Sequence, residues 1–173
     1  AENKHDIYVL ELSSFQLDDI DTFTPHIAVL LNITPDHLDR YGTLDRYIDS
    51  KFRITLNQKE TDHFIYWNED PAIAQGLKKH TVKSMLHPFS AECTPDSAAC
   101  IENEQIIFNH RKHTKQKQTL MSIFDLALRG KHNLYNSMAA SVAAKILDIK
   151  NEVIRESLSD FQSVEHRLER VNI

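Results

Sequence analysis

Glu11, Ser13, Asp36 and His37 are the residues in the first third of the chain whose types and spacing suit metal or phosphate chemistry. Glu11 lies near the end of a short apolar run at 7–12, and Asp36 and His37 follow a second apolar run at 26–33. If both runs are buried parallel strands, these side chains gather at one sheet edge, where open α/β sheets bind ligands. A carboxylate and an imidazole there can hold a divalent cation. Magnesium prefers oxygen and keeps several waters, so the protein need supply only one or two ligands. Against this, a single Glu and a single His are more often surface or capping residues, and ten histidines make chance juxtaposition easy. His37-Leu38-Asp39 also matches the HxD unit of a facial iron triad. Such triads rest on all-β scaffolds, whereas this chain alternates strands and helices.

The elements that would position these residues are read from hydrophobic periodicity. The runs at 7–12, 26–33 and 62–67 predict buried strands, nearly continuous in apolar residues as parallel strands are. Ser13 and Gln16 form a Ser-x-x-Gln capping box for a short helix, and Thr34 caps the next turn with Pro35 in its first position. A helix is expected over 44–56, with Leu44, Tyr47, Ile48, Lys51 and Ile54 near one face, and another over 71–79. Short strands at 82–86, 98–102 and 105–108 read as hairpins. Gly130 precedes a helix over 132–147, whose buried stripe is Met138, Ala139, Val142, Ala143 and Ile146. Asn151 caps a last helix ending near Phe161. The fold class is therefore α/β: a mostly parallel sheet flanked by helices, with right-handed crossovers and a small antiparallel hairpin subregion.

Bulk properties bound the function. A chain of 173 residues, 41% hydrophobic and 26% charged, suits one globular domain. A net charge of −5 argues against a general nucleic-acid binder. The basic stretch at 111–117 has no aromatic on which a base could stack, and reads as a solvated loop. Cys93 and Cys100 are neither a CxxC pair nor a disulfide framework. No apolar run approaches the roughly 20 residues that cross a bilayer, so neither membrane nor nucleic acid is expected as a partner. A reducing cytoplasm is the expected compartment.

Five segments together resemble the Mur ligase family. Leu10-Glu11-Leu12-Ser13-Ser14-Phe15-Gln16-Leu17 is similar to the ELSSFQL segment of the branch that adds D-glutamate. Asn32-Ile33-Thr34-Pro35-Asp36-His37-Leu38-Asp39 resembles the family's N-[IV]-x-x-DH-x-D segment, and Lys51-Phe52-Arg53-Ile54 its K-x-R-I helix. Gly130-Lys131-His132-Asn133-Leu134-Tyr135-Asn136 is similar to the G-x-HN-x-x-N motif, and His166-Arg167-Leu168-Glu169 to the HR-x-E stretch that closes the central domain.

The resemblance implies a P-loop-NTPase-like central domain of an ATP-dependent ligase with two magnesium ions. Its substrates would be UDP-N-acetylmuramoyl-L-alanine and D-glutamate, joined through an acyl phosphate in peptidoglycan precursor synthesis. It implies Glu11 as ligand of one magnesium and His37 of the second, near the acyl phosphate. Lys51 would be carbamylated and would help hold the second ion. Asn133, Asn136, His166 and Arg167 would bind the nucleotide, and Ser13 would contact substrate. The phosphate-cradling G-x-x-x-x-G-K-[ST] loop is not in the sequence. Residues 1–173 are therefore expected to be a truncated central domain, inactive alone and prone to self-association, of an enzyme that is monomeric when complete. Alternatives are a sister Mur ligase, a folylpolyglutamate-synthase-like ligase, or a non-catalytic nucleotide-binding module.

Overall fold

In a computed structural model, which describes residues 7–109 and 117–161, a single six-stranded sheet has its strands in chain order. β1 (Ile27–Leu30), β2 (His63–Trp67), β3 (Met85–Glu92) and β4 (Ala99–Glu102) are mutually parallel. β5 (Gln105–Asn109) and β6 (Lys117–Ser122) extend it antiparallel. Short helices α1 (Ser14–Asp18), α2 (Leu38–Tyr41), α3 (Leu44–Phe52) and α4 (Pro71–Lys79) belong to one side of the sheet. α5 (Lys131–Ile146) and α6 (Asn151–Ser159) cover the other.

Alternation along the strands divides the core in two. Ala28, Leu30, Phe64 and Tyr66 point toward Tyr47, Ile48, Phe52 and Ile73 of α3 and α4. Their neighbours Ile27, Val29 and Ile65 point toward Tyr135, Met138 and Val142 of α5. Strands buried on both faces must be apolar throughout, which is why the runs around β1 and β2 were legible. The start of α4 is equally direct. Asp70 caps it by accepting the Ile73 N–H at 2.9 Å, and Pro71 occupies the first turn, where a missing N–H costs nothing.

The run at 7–12 forms no strand. Ile7, Tyr8, Val9 and Leu10 are exposed, Val9 to 94%, and β1 pairs only with β2 among the described residues. A strand exists through its ladder, so apolar composition without a paired edge leaves extended coil. Thr34 caps no helix. His37 stands at the N-cap of α2 in left-handed conformation, φ 51°. β3 begins at Met85 and runs on through Pro88, beyond the expected end at 86. Pro88 accepts from the Ala98 N–H, just before the β3–β4 ladder starts at Phe89 and Ala99, so its missing N–H removes no rung. Sequence reading had no β6, whose first three residues are polar and exposed; only Leu120 and Met121 are buried. The β4–β5 hairpin is closed by Asn103 and Glu104, both at positive φ (49° and 61°), the type I′ pattern that matches strand twist. Cys93 and Cys100, which the spacing left unassigned, are joined by a disulfide with Cα atoms 4.9 Å apart. The pairing of Ser90 with Cys100 explains it: the chain leaving β3 returns beside β4.

Helices α3 and α4 pack closely because Gly76 of α4 faces the Phe52 ring. A Cβ at Gly76 would overlap that ring, and Phe52 is 2% exposed in a packed core. Gly76→Ala should gain about 1 kcal/mol of helix propensity and lose more than that to overpacking, about 3 kcal/mol or more, because the overlap is with a buried ring. A lowered urea midpoint is expected; an unchanged or raised midpoint would show that α3 and α4 are not in this contact.

Candidate functional site

The residues expected to do chemistry lie outside the carboxyl ends of β1 and β2. α1 follows Glu11 by three residues and starts with the expected capping box. Ser13 Oγ accepts the Gln16 N–H at 3.3 Å, and Gln16 Oε1 accepts the Ser13 N–H at 2.8 Å. The Ser13 hydroxyl is thereby engaged in capping. Beyond β1, Asp70 Oδ2 accepts the Ile33 N–H at 3.0 Å, tying the segment before Asp36 to the start of α4. Asp36 Oδ1 accepts the His37 N–H at 2.8 Å, and Asp36 Oδ2 lies 3.5 Å from His37 Nε2. The His37 ring packs against Phe15 of α1 at 4.8 Å and Tyr47 of α3 at 6.2 Å between centroids.

Lys51 comes to the same place from α3. Its Nζ lies 5.5 Å from the centre of the Tyr47 ring, one helical turn earlier. Burial pushes its pKa down, and the nearby carboxylates of Asp36 and Glu11 oppose that shift without cancelling it. Burial also pushes the Tyr47 phenol up, helped by the charge of Asp36. Glu11, Asp36, His37, Tyr47 and Lys51 thus share one electrostatic neighbourhood. A half-buried amine shifted toward its neutral form is a nucleophile or a carbamate precursor, because carbon dioxide reacts with the free amine only.

One carboxylate holds this arrangement together. Asp18, the last residue of α1, has Ser50 Oγ 2.5 Å from its Oδ1. The Tyr41 hydroxyl and the Arg40 guanidinium donate to its Oδ2 at 2.8 and 3.2 Å. Desolvation raises the Asp18 pKa, but these bonds outweigh it and hold the carboxyl below its ordinary value.

Two of the residues expected to bind nucleotide lie on the α5 side. Asn133 donates through Nδ2 to the Arg129 carbonyl at 2.8 Å, and Asn136 is exposed on the same helix. Tyr135 packs against Trp67 at the carboxyl end of β2, 4.9 Å between centroids, which sets the first turns of α5 at this edge of the sheet. His166 and Arg167 lie outside the described residues.

Among the described residues, no three His, Cys, Asp or Glu side chains converge on one point. Magnesium does not require that convergence. An exposed carboxylate at Glu11, a second at Asp36 and an imidazole at His37 are a fitting partial donor set.

The sequence matches the Mur ligase middle domain over residues 1–144. The chain belongs to the Mur ligase family. It is 51% identical over 172 residues to a UDP-N-acetylmuramoylalanine–D-glutamate ligase of Bacteroides fragilis, covering 99% of this chain and 38% of the relative. A protein of the same name from Christiangramia forsetii is 53% identical over 174 residues, with the same coverage of each chain. The chain therefore spans little more than a third of these Mur ligase relatives. In structure it resembles MurF from Acinetobacter baumannii, with a TM-score of 0.61 and 21% identity over 87% of this chain and 32% of that one. An FPGS–AMPPCP complex gives 0.60 and 19% over 88% and 38%. At such identities the likeness shows the fold, a Mur ligase central domain.

Sequence reading placed Tyr47 and Lys51 on one helix face but gave the tyrosine no part in the site. It missed Asp18 and Asp70 altogether. An Asp-Pro start signal marks Asp70 as a cap; nothing local marks its bond to Ile33.

Two outcomes are expected. Asp70→Ala removes a cap, at about 1 kcal/mol, and leaves the Ile33 N–H unsatisfied, at about 1–3 kcal/mol. Chemical denaturation should register a loss of roughly 2–4 kcal/mol, and a loss under 1 kcal/mol would exclude the Ile33 bond. Asp36→Asn removes a charge that raises the Lys51 pKa, so that pKa should fall further, read by NMR of the lysine ε-carbon. A rise would contradict the arrangement.

Proposed function

We propose that this chain is the ATP-handling part of an ATP-dependent ligase that joins D-glutamate to UDP-N-acetylmuramoyl-L-alanine in peptidoglycan precursor synthesis. The observation that carries the reading is the half-buried Lys51 amine held in the field of Asp36 and Glu11 beside His37. The names of relatives at 51% and 53% identity supply the substrates. The FPGS–AMPPCP complex, and a MurF ligase of Thermotoga maritima in complex with ADP at a TM-score of 0.53, support ATP as the nucleotide.

In this reading an oxygen of the substrate carboxylate attacks the γ-phosphorus of ATP, the bond to ADP breaks, and an acyl phosphate forms. The amine of D-glutamate then attacks the acyl carbon, phosphate leaves with the electron pair of the broken C–O bond, and the nitrogen loses a proton. Phosphoryl transfer of this kind relies mostly on positioning and charge stabilisation. Lys51, as a neutral amine, takes up carbon dioxide and releases a proton, converting a cation into a carbamate anion. Glu11 and His37, with that carbamate, would hold two magnesium ions. The ions supply positive charge that offsets the crowding of phosphate and carboxylate oxygens. Asn133 and Asn136 bind the adenine side of the nucleotide, with His166 beside it and Arg167 on the phosphates. Ser13, at the start of α1, contacts the substrate or a metal-bound water.

No described helix is long and apolar enough to cross a membrane, and in this reading the complete enzyme is cytoplasmic and monomeric. The 173-residue chain by itself should lack activity and self-associate through the exposed apolar residues Ile7, Tyr8, Val9 and Leu10.

The test uses the gene with its natural flanks. Phosphate release from ATP is measured with UDP-N-acetylmuramoyl-L-alanine, magnesium, and D-glutamate, L-glutamate or L-lysine. Release should require D-glutamate and fall at least 100-fold in Lys51→Ala. Release with another amino acid would move the protein to a sister ligase, and no release with any would remove the reading.

A further inference from the structure

We propose that Asp18 is a positioning residue of the ligase site, fixing through Ser50, Tyr41 and Arg40 where three helices present Glu11, His37 and Lys51. The inference rests on the site reading proposed above and assigns a role to a residue that touches none of the reacting groups.

The geometry is specific. Asp18 closes α1, the helix that begins three residues after Glu11. Ser50, whose Oγ stands 2.5 Å from Asp18 Oδ1, directly precedes Lys51 on α3, and the same Oγ lies 3.0 Å from the Ser14 carbonyl. Tyr41 and Arg40, which donate to Oδ2, are the two residues whose backbone N–H groups bond the His37 carbonyl, both at 3.0 Å. The Tyr41 ring packs on Phe15 and Tyr47, at 6.2 and 5.3 Å between centroids, and Arg40 lies 4.6 Å from the centre of the Phe15 ring. Those two rings, Phe15 and Tyr47, are the ones flanking His37. Each candidate ligand is thus one short step along the chain from a group that Asp18 fixes.

An exposed, two-membered surface salt bridge contributes little. Asp18 is about a quarter exposed, takes three donors on two oxygens, and its Ser50 and Tyr41 partners are both buried. Replacing the carboxylate by a carboxamide leaves one accepting oxygen where two are used, and points an N–H₂ at a donor. The helices then shift relative to one another while their apolar contacts persist. Misplacement of reacting groups by about 1 Å can reduce a rate roughly 100-fold.

The experiment compares the full-length ligase with Asp18→Asn and Tyr41→Phe. The second variant deletes one bond to the hub and keeps the packed ring, so it covers the case in which Asp18→Asn does not fold. Three quantities are read: kcat and KM for ATP, folded fraction by circular dichroism, and the Lys51 carbamate by ¹³C NMR in labelled bicarbonate. Asp18→Asn should lower kcat about 10- to 100-fold with KM for ATP within about twofold. Its carbamate signal should weaken while the folded fraction is unchanged. Tyr41→Phe should lower kcat severalfold in the same pattern. Wild-type kcat and carbamate signal in a folded Asp18→Asn protein would overturn the proposal. So would a kcat loss that only follows the folded fraction, or, where Asp18→Asn does not fold, wild-type behaviour of Tyr41→Phe. Failure of the underlying site reading looks different: wild type would show no carbamate, and Lys51→Ala would keep its activity.

Discussion

Parallel pairing of β1 through β4 is the constraint on which everything else in this chain depends. Parallel neighbours cannot be joined by tight hairpins, so between β1 and β2, and between β2 and β3, the chain must cross over the face of the sheet. These crossovers are α2, α3 and α4, and α1 packs beside them. Because the strands share one direction, their carboxyl ends share one edge, and the loops leaving them converge there. The segment beyond β1 carries Asp36 and His37, and the loop beyond β2 carries Asp70, which reaches back to bond Ile33. The site's location follows from strand direction before any side chain is considered.

Strand direction sets the edge but not the distances within it; side-chain contacts set those. Phe52 against Gly76 fixes how close α3 comes to α4, and Asp18 fixes α1 and α2 against α3. The electrostatics of Lys51 follow from that packing. Its amine sits between burial, which favours the neutral form, and two carboxylates, which favour the charged form, and burial prevails. A lysine fully exposed on α3 would stay charged and inert toward carbon dioxide. One fully buried without Asp36 and Glu11 nearby would lack the acidic surroundings that suit a cation site.

The sequence carried those parts of this molecule whose cause is local. The helix at 71–79 was read to the residue, and its cause, the Asp70 cap with Pro71 in the first turn, acts within one turn. The 131–146 helix was legible within a residue at each end from its apolar stripe. Non-local causes were not legible. Pro88 continues a strand because its neighbour on that side has not yet begun, and β6 has too polar a start to announce itself. The run at 7–12 has strand composition but lacks a ladder. The expectation that Glu11 and His37 gather at one edge rested on two parallel strands, and the first of them does not form. Phe15, Tyr41 and Asp18 draw α1 onto α2 and α3, and no first strand is involved. Asp18 lies 32 residues from Ser50 and 23 from Tyr41, and an aspartate ending a five-residue helix has no signature of such partners.

The two groups of residues assigned to the site under the proposed function belong to opposite faces of the sheet. Glu11, His37 and Lys51 come from the α1–α4 side, and Asn133 and Asn136 from the start of α5 on the other. They are separated by β2, whose last residue, Trp67, packs on Tyr135. Under the proposed function, base and reacting phosphate must therefore lie on either side of the β2 end, with the nucleotide crossing over the sheet edge. The segment there is tied to its neighbours by hydrogen bonds. Asn68 donates its N–H to the Phe89 carbonyl at 2.9 Å, Glu69 accepts from the Ala91 N–H at 2.7 Å, and Asp70 joins Ile33 to α4. Three consecutive residues thus bind the end of β2 to the loop beyond β1 and to β3. Under the proposed function these bonds hold the separation of the two groups, and phosphoryl transfer depends mainly on such positioning.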